Sequence, residues 1–329
     1  MNPSLTSEAY SRRQFLKHGL VATGGALIGS PAFGEDKSAP LPESETLVTT
    51  LYQSLNEEQR KSLCFAFDHP LRDKVDNNWH IVPQKIGEVL MPDQQAMTRE
   101  IFDKLHSEEY KEKVWEQFDS DNKSSGGFGS ASIALFGEPG TGKFEFVLTG
   151  RHCTRRCDGD SLAGTAFGGP IFYGHAAGSF NEKPDHPGNV YWYQAKRANE
   201  VFAALDGKQR EKALCADARE ESGNDTVKLT GKKSGLDGVP MSDLSADQQG
   251  LVRQVLSDLL LPFRKNDADE AMKLINKNGF DALSMAFYKN QDVGKDGIWD
   301  VWQIEGPAMI WYFRGDPHVH CWAHIKESA

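Results

Sequence analysis

The chain has 329 residues, a formal net charge of −10 and five cysteines. The excess of carboxylates removes the electrostatic basis for a nucleic-acid partner. Five thiols in so long a chain exclude a disulfide-dense scaffold, and the odd count leaves at least one of them unpaired, metal-bound or intermolecular.

The N-terminus reads as an export signal. "SRRQFLKHG" carries Arg12 and Arg13 ahead of Phe15, Leu16 and Lys17, and an apolar run from Leu20 to Gly29 follows. Ala32 and Gly34 then sit at signal-cleavage spacing. This is the layout of a twin-arginine signal over residues 1–34. The run is too short for a permanent membrane anchor, which needs roughly 20 apolar residues. The mature chain is expected to start near Glu35, to work in the periplasm or outside the cell, and to begin with a flexible leader over 35–46.

Two segments then occur twice in the same order. "SLNEEQRKSLCFAF" (54–67) matches "ALDGKQREKALCAD" (204–217), with Leu55 on Leu205, Arg60 on Arg210, and Cys64 on Cys215 after a one-residue slip. "LMPDQQAMTREIFDKL" (90–105) matches "LSADQQGLVRQVLSDLL" (244–260) through Asp-Gln-Gln and a following Arg. Such recurrence predicts an internal duplication, with halves over 47–200 and 201–329. Asn56 and Asp206 stand where helix N-caps belong, Asp93 and Asp247 open later helices, and the apolar spacing is helical.

After each helical block comes a strand-rich region, "ASIALFGEPGTGKFEFVLTGRH" in the first half and "GIWDVWQIEGPAMIWYFRGDPHVHCWAHI" in the second. The "GEPGTGK" within the first (137–143) imitates a phosphate-binding loop. That loop needs a Ser or Thr after the Lys and a helix beyond it, whereas here Phe144 opens a strand-like "FEFVLTG". The segment is predicted to be a hairpin turn, and no nucleotide cofactor is expected. The implied fold class is α+β, two similar halves packed with pseudo-twofold symmetry, each with helices followed by antiparallel strands.

"DPHVHCWAH" is the sharpest chemical feature. Alternation on a strand puts His318, His320 and His324 on one face and Cys321 on the other. The Cα atoms of a His-x-His pair lie about 6.5 to 7 Å apart, which lets both rings reach one metal ion. His152, before Cys153, matches His320 in the other half, and His175 lies in the glycine-flanked "FYGHAAG". His152, His318, His320 and His175 are the candidate ligands of a divalent zinc or copper ion with an open position. Glu138 and Glu305, at what read as matching turns, are candidate acid/base residues or partners of the histidines. Arg151, Arg155, Arg156 and Arg314 flank these strands and could hold an anionic substrate. His80, in "NNWHIVP", could line the same cleft. Cys153 and Cys157 find no second thiolate pair for a structural zinc. On an extended strand their Cα atoms are about 13 Å apart, too far for a disulfide. Neighbouring Cys and His on a strand point apart and make no catalytic dyad.

The Gln-Arg helix start, "WHIVP", "LFGEPG" with Gly-x-His on the next strand, and the late His-x-His strand together resemble a bacterial family described as a domain of unknown function, number 3500. The resemblance covers most of residues 48–325. It adds weight to the histidines and supplies no substrate. The reading is thus an exported His-ligated metal-binding protein, a metalloenzyme of hydrolytic or oxidative type acting on a small molecule. The alternative is a secreted, non-catalytic binding protein whose cleft is lined by Trp192, Trp299, Trp302, Trp311 and Trp322.

Overall fold

The computed structural model describes residues 43–176, 190–290 and 298–329. The chain divides into Met1–Pro40 and Leu41–Ala329, and the second unit is the one described. The twin-arginine segment lies outside the described residues. Among them no helix is long and apolar enough to cross a membrane.

The repeated Gln-Arg and Asp-Gln-Gln motifs are joints between helices. The first block holds α1 (Glu43–Ser54), α2 (Glu57–Leu63), α3 (Ile86–Val89), α4 (Pro92–Lys104) and α5 (Lys111–Asn122). The second holds α6 (Trp192–Ala204), α7 (Gly207–Ala213), α8 (Ala246–Leu260) and α9 (Lys265–Asn278). Asn56 caps α2 and Asp206 caps α7, each in a reciprocal box with the glutamine three residues on. Gln59 Nε2 donates to Gln94 Oε1 at 2.7 Å, and Gln209 Nε2 to Gln248 Oε1 at 3.0 Å. Gln94 and Gln248 in turn donate to the carbonyls of Ser54 and Ala204, at the ends of α1 and α6. Arg60 reaches back to the carbonyls of Leu55 and Tyr52, and Arg210 to those of Phe202 and Ala203. Helix ends leave unpaired backbone groups, and these side chains satisfy them. Because α2 and α7 end at Leu63 and Ala213, the position matching Cys64 is Leu214, not Cys215.

Two boundaries differ from expectation. The leader over 35–46 runs into α1, which starts at Glu43. Glu45 is buried there and bonds Arg264 at 2.6 Å, and that pairing fixes the segment. The 200/201 boundary cuts α6, whose Ala195, Ala198 and Val201 share a core with Val252, Val255 and Leu259 of α8. The helix therefore belongs wholly to the second helical block.

The strands are β1 (Cys64–Phe65), β2 (Ser132–Gly137), β3 (Phe144–Gly150), β4 (Cys153–Cys157), β5 (Ile171–His175), β6 (Leu214–Cys215), β7 (Val239–Pro240), β8 (Ser284–Tyr288), β9 (Val301–Gly306), β10 (Met309–Arg314) and β11 (Val319–Ile325). They form one sheet in the order β1-β2-β3-β4-β5-β11-β10-β9-β8-β6, with β7 on β8. The pairs β1–β2 and β6–β8 are parallel, and the rest are antiparallel. The chain is thus mixed α and β around one mostly antiparallel sheet. The junction that matters is β5–β11, where strands distant in sequence become neighbours. Cys321 and Ala323 face the core that the second helical block covers, while Trp322 faces a smaller core with Phe172, Tyr312 and Val227.

Residues 138–143 close the β2–β3 hairpin, with the Glu138 N–H donating to the Lys143 carbonyl at 3.0 Å. Lys143 leads straight into β3, so no helix N-terminus follows it.

Candidate metal centre

Three imidazoles meet where β4, β5 and β11 lie side by side. Cys153 and Cys321 both stand opposite Tyr173 of β5, one from each side. One step further along, His320 stands opposite Gly174, and His152 directly precedes Cys153. Strands flanking a common neighbour are about 9.5 Å apart, and Gly174 offers no side chain to stand between the two rings. A Cβ there would lie 2.2 Å from the Val319 carbonyl oxygen, so the close approach of β5 and β11 also requires glycine.

His152 was expected on a strand, and the structure places it between two strands instead. β3 ends at Gly150, and His152 adopts a left-handed backbone with φ 55°. Its N–H donates to the Asn77 carbonyl at 2.8 Å, beside the bridge between Asn78 and Arg151. A left-handed non-glycine residue costs on the order of 1 kcal/mol or more. The surrounding contacts hold that strain where it aims the ring at its partners.

His152 Nε2 lies 3.2 Å from His318 Nε2, which lies 2.9 Å from His320 Nε2. All three ligand nitrogens fall within 4.8 Å of one another. Four-coordinate zinc with bonds of about 2.0 Å sets its ligand atoms about 3.3 Å apart. The observed spacing suits such an ion, and the residues fit it.

The other ring nitrogens explain why these atoms face inward. His152 Nδ1 is 2.6 Å from Asp121 Oδ2, and His320 Nδ1 is 2.7 Å from Glu221 Oε2. Burial alone would raise the Asp121 carboxyl, but hydrogen bonds from His152 and His175 hold it well below the usual carboxylate range. Glu221, likewise opposed by burial, is held down by His320 and Arg314. Ionised carboxylates only accept, so each Nδ1 carries the proton and each Nε2 presents a lone pair. Burial pushes His318 down to about 3, and neighbouring His320 and His152 add to the effect. Burial also pushes His320 down to about 4, against its bond to Glu221. Neutral imidazoles with carboxylates behind them are the form that binds a metal.

The remaining candidates are placed elsewhere. His175 does not join the three, because it is one residue beyond Gly174 and leaves the opposite face of β5. Its Nδ1 shares Asp121 at 3.1 Å. His324 shares the His320 face, but its Nδ1 bonds the Val227 carbonyl at 3.2 Å. A cavity of about 430 Å³ opens around His324, Arg72, Lys228 and Lys326, apart from the three histidines. His80 bonds the Ser130 carbonyl instead of lining the centre. Glu138 is an exposed turn residue. Glu305 is not at a turn: it is buried inside β9 and tied to Arg219 at 2.9 Å. A two-residue turn (307–308) follows β9, whereas six residues follow β2, so the two glutamates do not correspond. Neither belongs to the group of potential ligands.

Four of the five tryptophans are core residues and do not line a cleft, while Trp299 is half-buried and packs against the core that the second helical block covers. Trp302, Trp311 and Trp322 are fully buried and fill cores on both faces of the sheet, and Trp192 is nearly so. Arg155 and Arg156 are buried too. Arg155 donates to His106 and the Phe172 carbonyl, and Arg156 to Glu145 and the Pro170 carbonyl. The five cysteines are free thiols, and Cys153 and Cys157 lie at the two ends of β4.

Sequence reasoning missed Asp121 and Glu221. Asp121 left one faint signal, an acid in the last turn of a helix, where the macrodipole disfavours it.

A family model described as "Protein of unknown function (DUF3500)" matches residues 37–326, and the chain belongs to that family. No curated protein and no solved structure matches it.

Proposed function

We propose that the protein is a metalloprotein in which His152, His318 and His320 hold one divalent ion, zinc or copper, through their Nε2 atoms. The observation that carries this is the convergence of three imidazole nitrogens, two of them fixed as acceptors by the carboxylates of buried Asp121 and half-buried Glu221. One proton on a neutral His318 is all that the rings themselves offer to bind two facing lone pairs. A cation is bonded by all three.

Three imidazoles leave a fourth position for a water or substrate, which suits hydrolytic or oxidative chemistry on a small molecule. When bound, the ion would supply Lewis acidity or redox capacity. The chain's part is to orient the rings, keep them neutral and shield them from bulk water. Zinc titration of purified protein tests the reading. Wild type should bind one equivalent, and His320→Ala should lose it while keeping its circular dichroism spectrum. Failure of wild type to bind zinc or copper would end the proposal and return the lead to a non-catalytic binding protein.

Arg12 and Arg13 support export through the twin-arginine route to the periplasm or beyond. Replacing both with Lys should leave the precursor in the cytoplasm, and unchanged export would refute the signal. The matched caps, glutamine pairs and back-reaching arginines support an origin of the chain by duplication, with the two halves related by an approximate twofold axis.

A further inference from the structure

We infer that Arg314 makes the tri-histidine centre a receptor for an oxyanion, a ligand or substrate bearing a carboxylate or phosphate group. The inference rests on the metal-binding reading above. Arg314 ends β10 and stands opposite His320 across the β10–β11 pair. Opposed residues of an antiparallel pair project from the same face, so the guanidinium lies on the side of the sheet that carries the three rings. Its Nε is 3.1 Å from Glu221 Oε1, and Glu221 Oε2 in turn holds His320. The Arg314–Glu221 contact is an ion pair without hydrogen-bond geometry, and both Arg314 Nε and Nη2 are buried with no hydrogen-bond partner among the described residues. A buried guanidinium donor left unpaired is costly, and an oxyanion is the partner its fork is shaped for.

Charge balance points the same way. Among the described residues, the ionised groups that touch the three imidazoles or the carboxylates behind them are Asp121, Glu221 and Arg314. The imidazoles are neutral ligands. A divalent ion with two carboxylates is balanced, and Arg314 adds one uncompensated positive charge. In a largely buried site one monoanion restores neutrality. Without Arg314 that demand disappears, so this residue sets the preference of the open position for an anionic over a neutral ligand.

Cobalt(II) tests this by a spectroscopic readout. Cobalt is titrated into the metal-free protein, and its visible absorption is followed as acetate, and separately phosphate, is added. In wild type one or both anions should shift the cobalt bands with saturation. In Arg314→Gln cobalt should still bind with a tetrahedral spectrum, while the anion dissociation constant rises at least about tenfold, as for loss of a charge-assisted hydrogen bond. Arg314→Lys, which keeps the charge and loses the fork, should fall between the two. Equal anion affinity in wild type and Arg314→Gln overturns the inference and leaves the metal reading standing. Loss of cobalt from Arg314→Gln also overturns it, because Arg314 would then serve only to brace Glu221. A wild type that binds no cobalt overturns both.

Discussion

Asp121→Asn should weaken metal binding although Asp121 is not a ligand. The Asp121 side chain is fully buried and accepts hydrogen bonds from two rings, His152 at 2.6 Å and His175 at 3.1 Å, and from Gln117 Nε2 at 3.0 Å and the Ala176 N–H at 3.2 Å. An asparagine offers one acceptor oxygen and one NH2 group. If its oxygen serves His175, the NH2 faces His152 Nδ1 and favours the tautomer with the proton on Nε2, the atom that must bind the metal. If its oxygen serves His152, the bond loses its charge and His175 loses its partner. A hydrogen bond to a charged group contributes about 1.5–3 kcal/mol. Outer partners of metal-bound histidines typically control affinity by about 10–100-fold, equivalent to about 1.4–2.7 kcal/mol. Asp121→Asn should therefore bind zinc about 10–100-fold more weakly, measured by competition with a chromophoric chelator at pH 7.5. His175→Ala should cost less, because His175 touches the carboxylate and not the ion. Zinc affinity in Asp121→Asn equal to that of wild type would refute the carboxylate's role in aiming His152.

Three further outcomes are expected. Gly174→Ala, with its Cβ 2.2 Å from the Val319 carbonyl oxygen, should push β11 away from β5, lowering both the melting temperature and the zinc stoichiometry; a variant that melts and binds like wild type would show that the junction has slack. Burial holds His106, His318, His320 and His324 below the usual histidine range, so in the metal-free protein the unfolded chain takes up protons below about pH 6.5 that the folded one resists. Their contribution to stability is full above the unfolded value and is lost as pH falls towards the folded one, while Glu145 and Glu270, pushed up by burial to about 7, and Asp267, to about 6, act in the opposite direction. The histidine part is therefore read by NMR, and imidazole signals of these four residues that titrate at about 6.5 in the folded protein would contradict it. Burial pushes Cys153 up to about 11 and Cys321 up to about 12, and raises Cys157 well above the usual thiol range. These three thiols should resist iodoacetamide at pH 8 until the protein unfolds, and rapid native labelling seen by intact mass would refute their enclosure.

Local features of the fold were legible where the physics is local. Asn56 and Asp206 announce helix starts through their side-chain chemistry, and the β2–β3 hairpin follows from a Pro/Gly turn between apolar runs. The His318–His320 pair was readable because strand alternation fixes which side chains share a face. Less legible was what depends on how a segment ends. The sequence does not show that β3 stops at Gly150 and that His152 turns left-handed, or that Glu305 sits within a strand instead of beside a turn. Apolar strands buried on both faces also hide where tryptophans go, so a run of them read as a cleft and proved to be core.

The sequence by itself determined the helix caps, the hairpin, the recurrence of motifs and the pairing of His318 with His320 on one strand face. Only the tertiary structure decided that His152 reaches His318 across 166 positions, over Gly174, with Asp121 and Glu221 behind the rings. The physical reason is that the β5–β11 pairing is non-local. Its register is set by the packing of both faces of the sheet, and no periodicity within either strand records which partner it will meet.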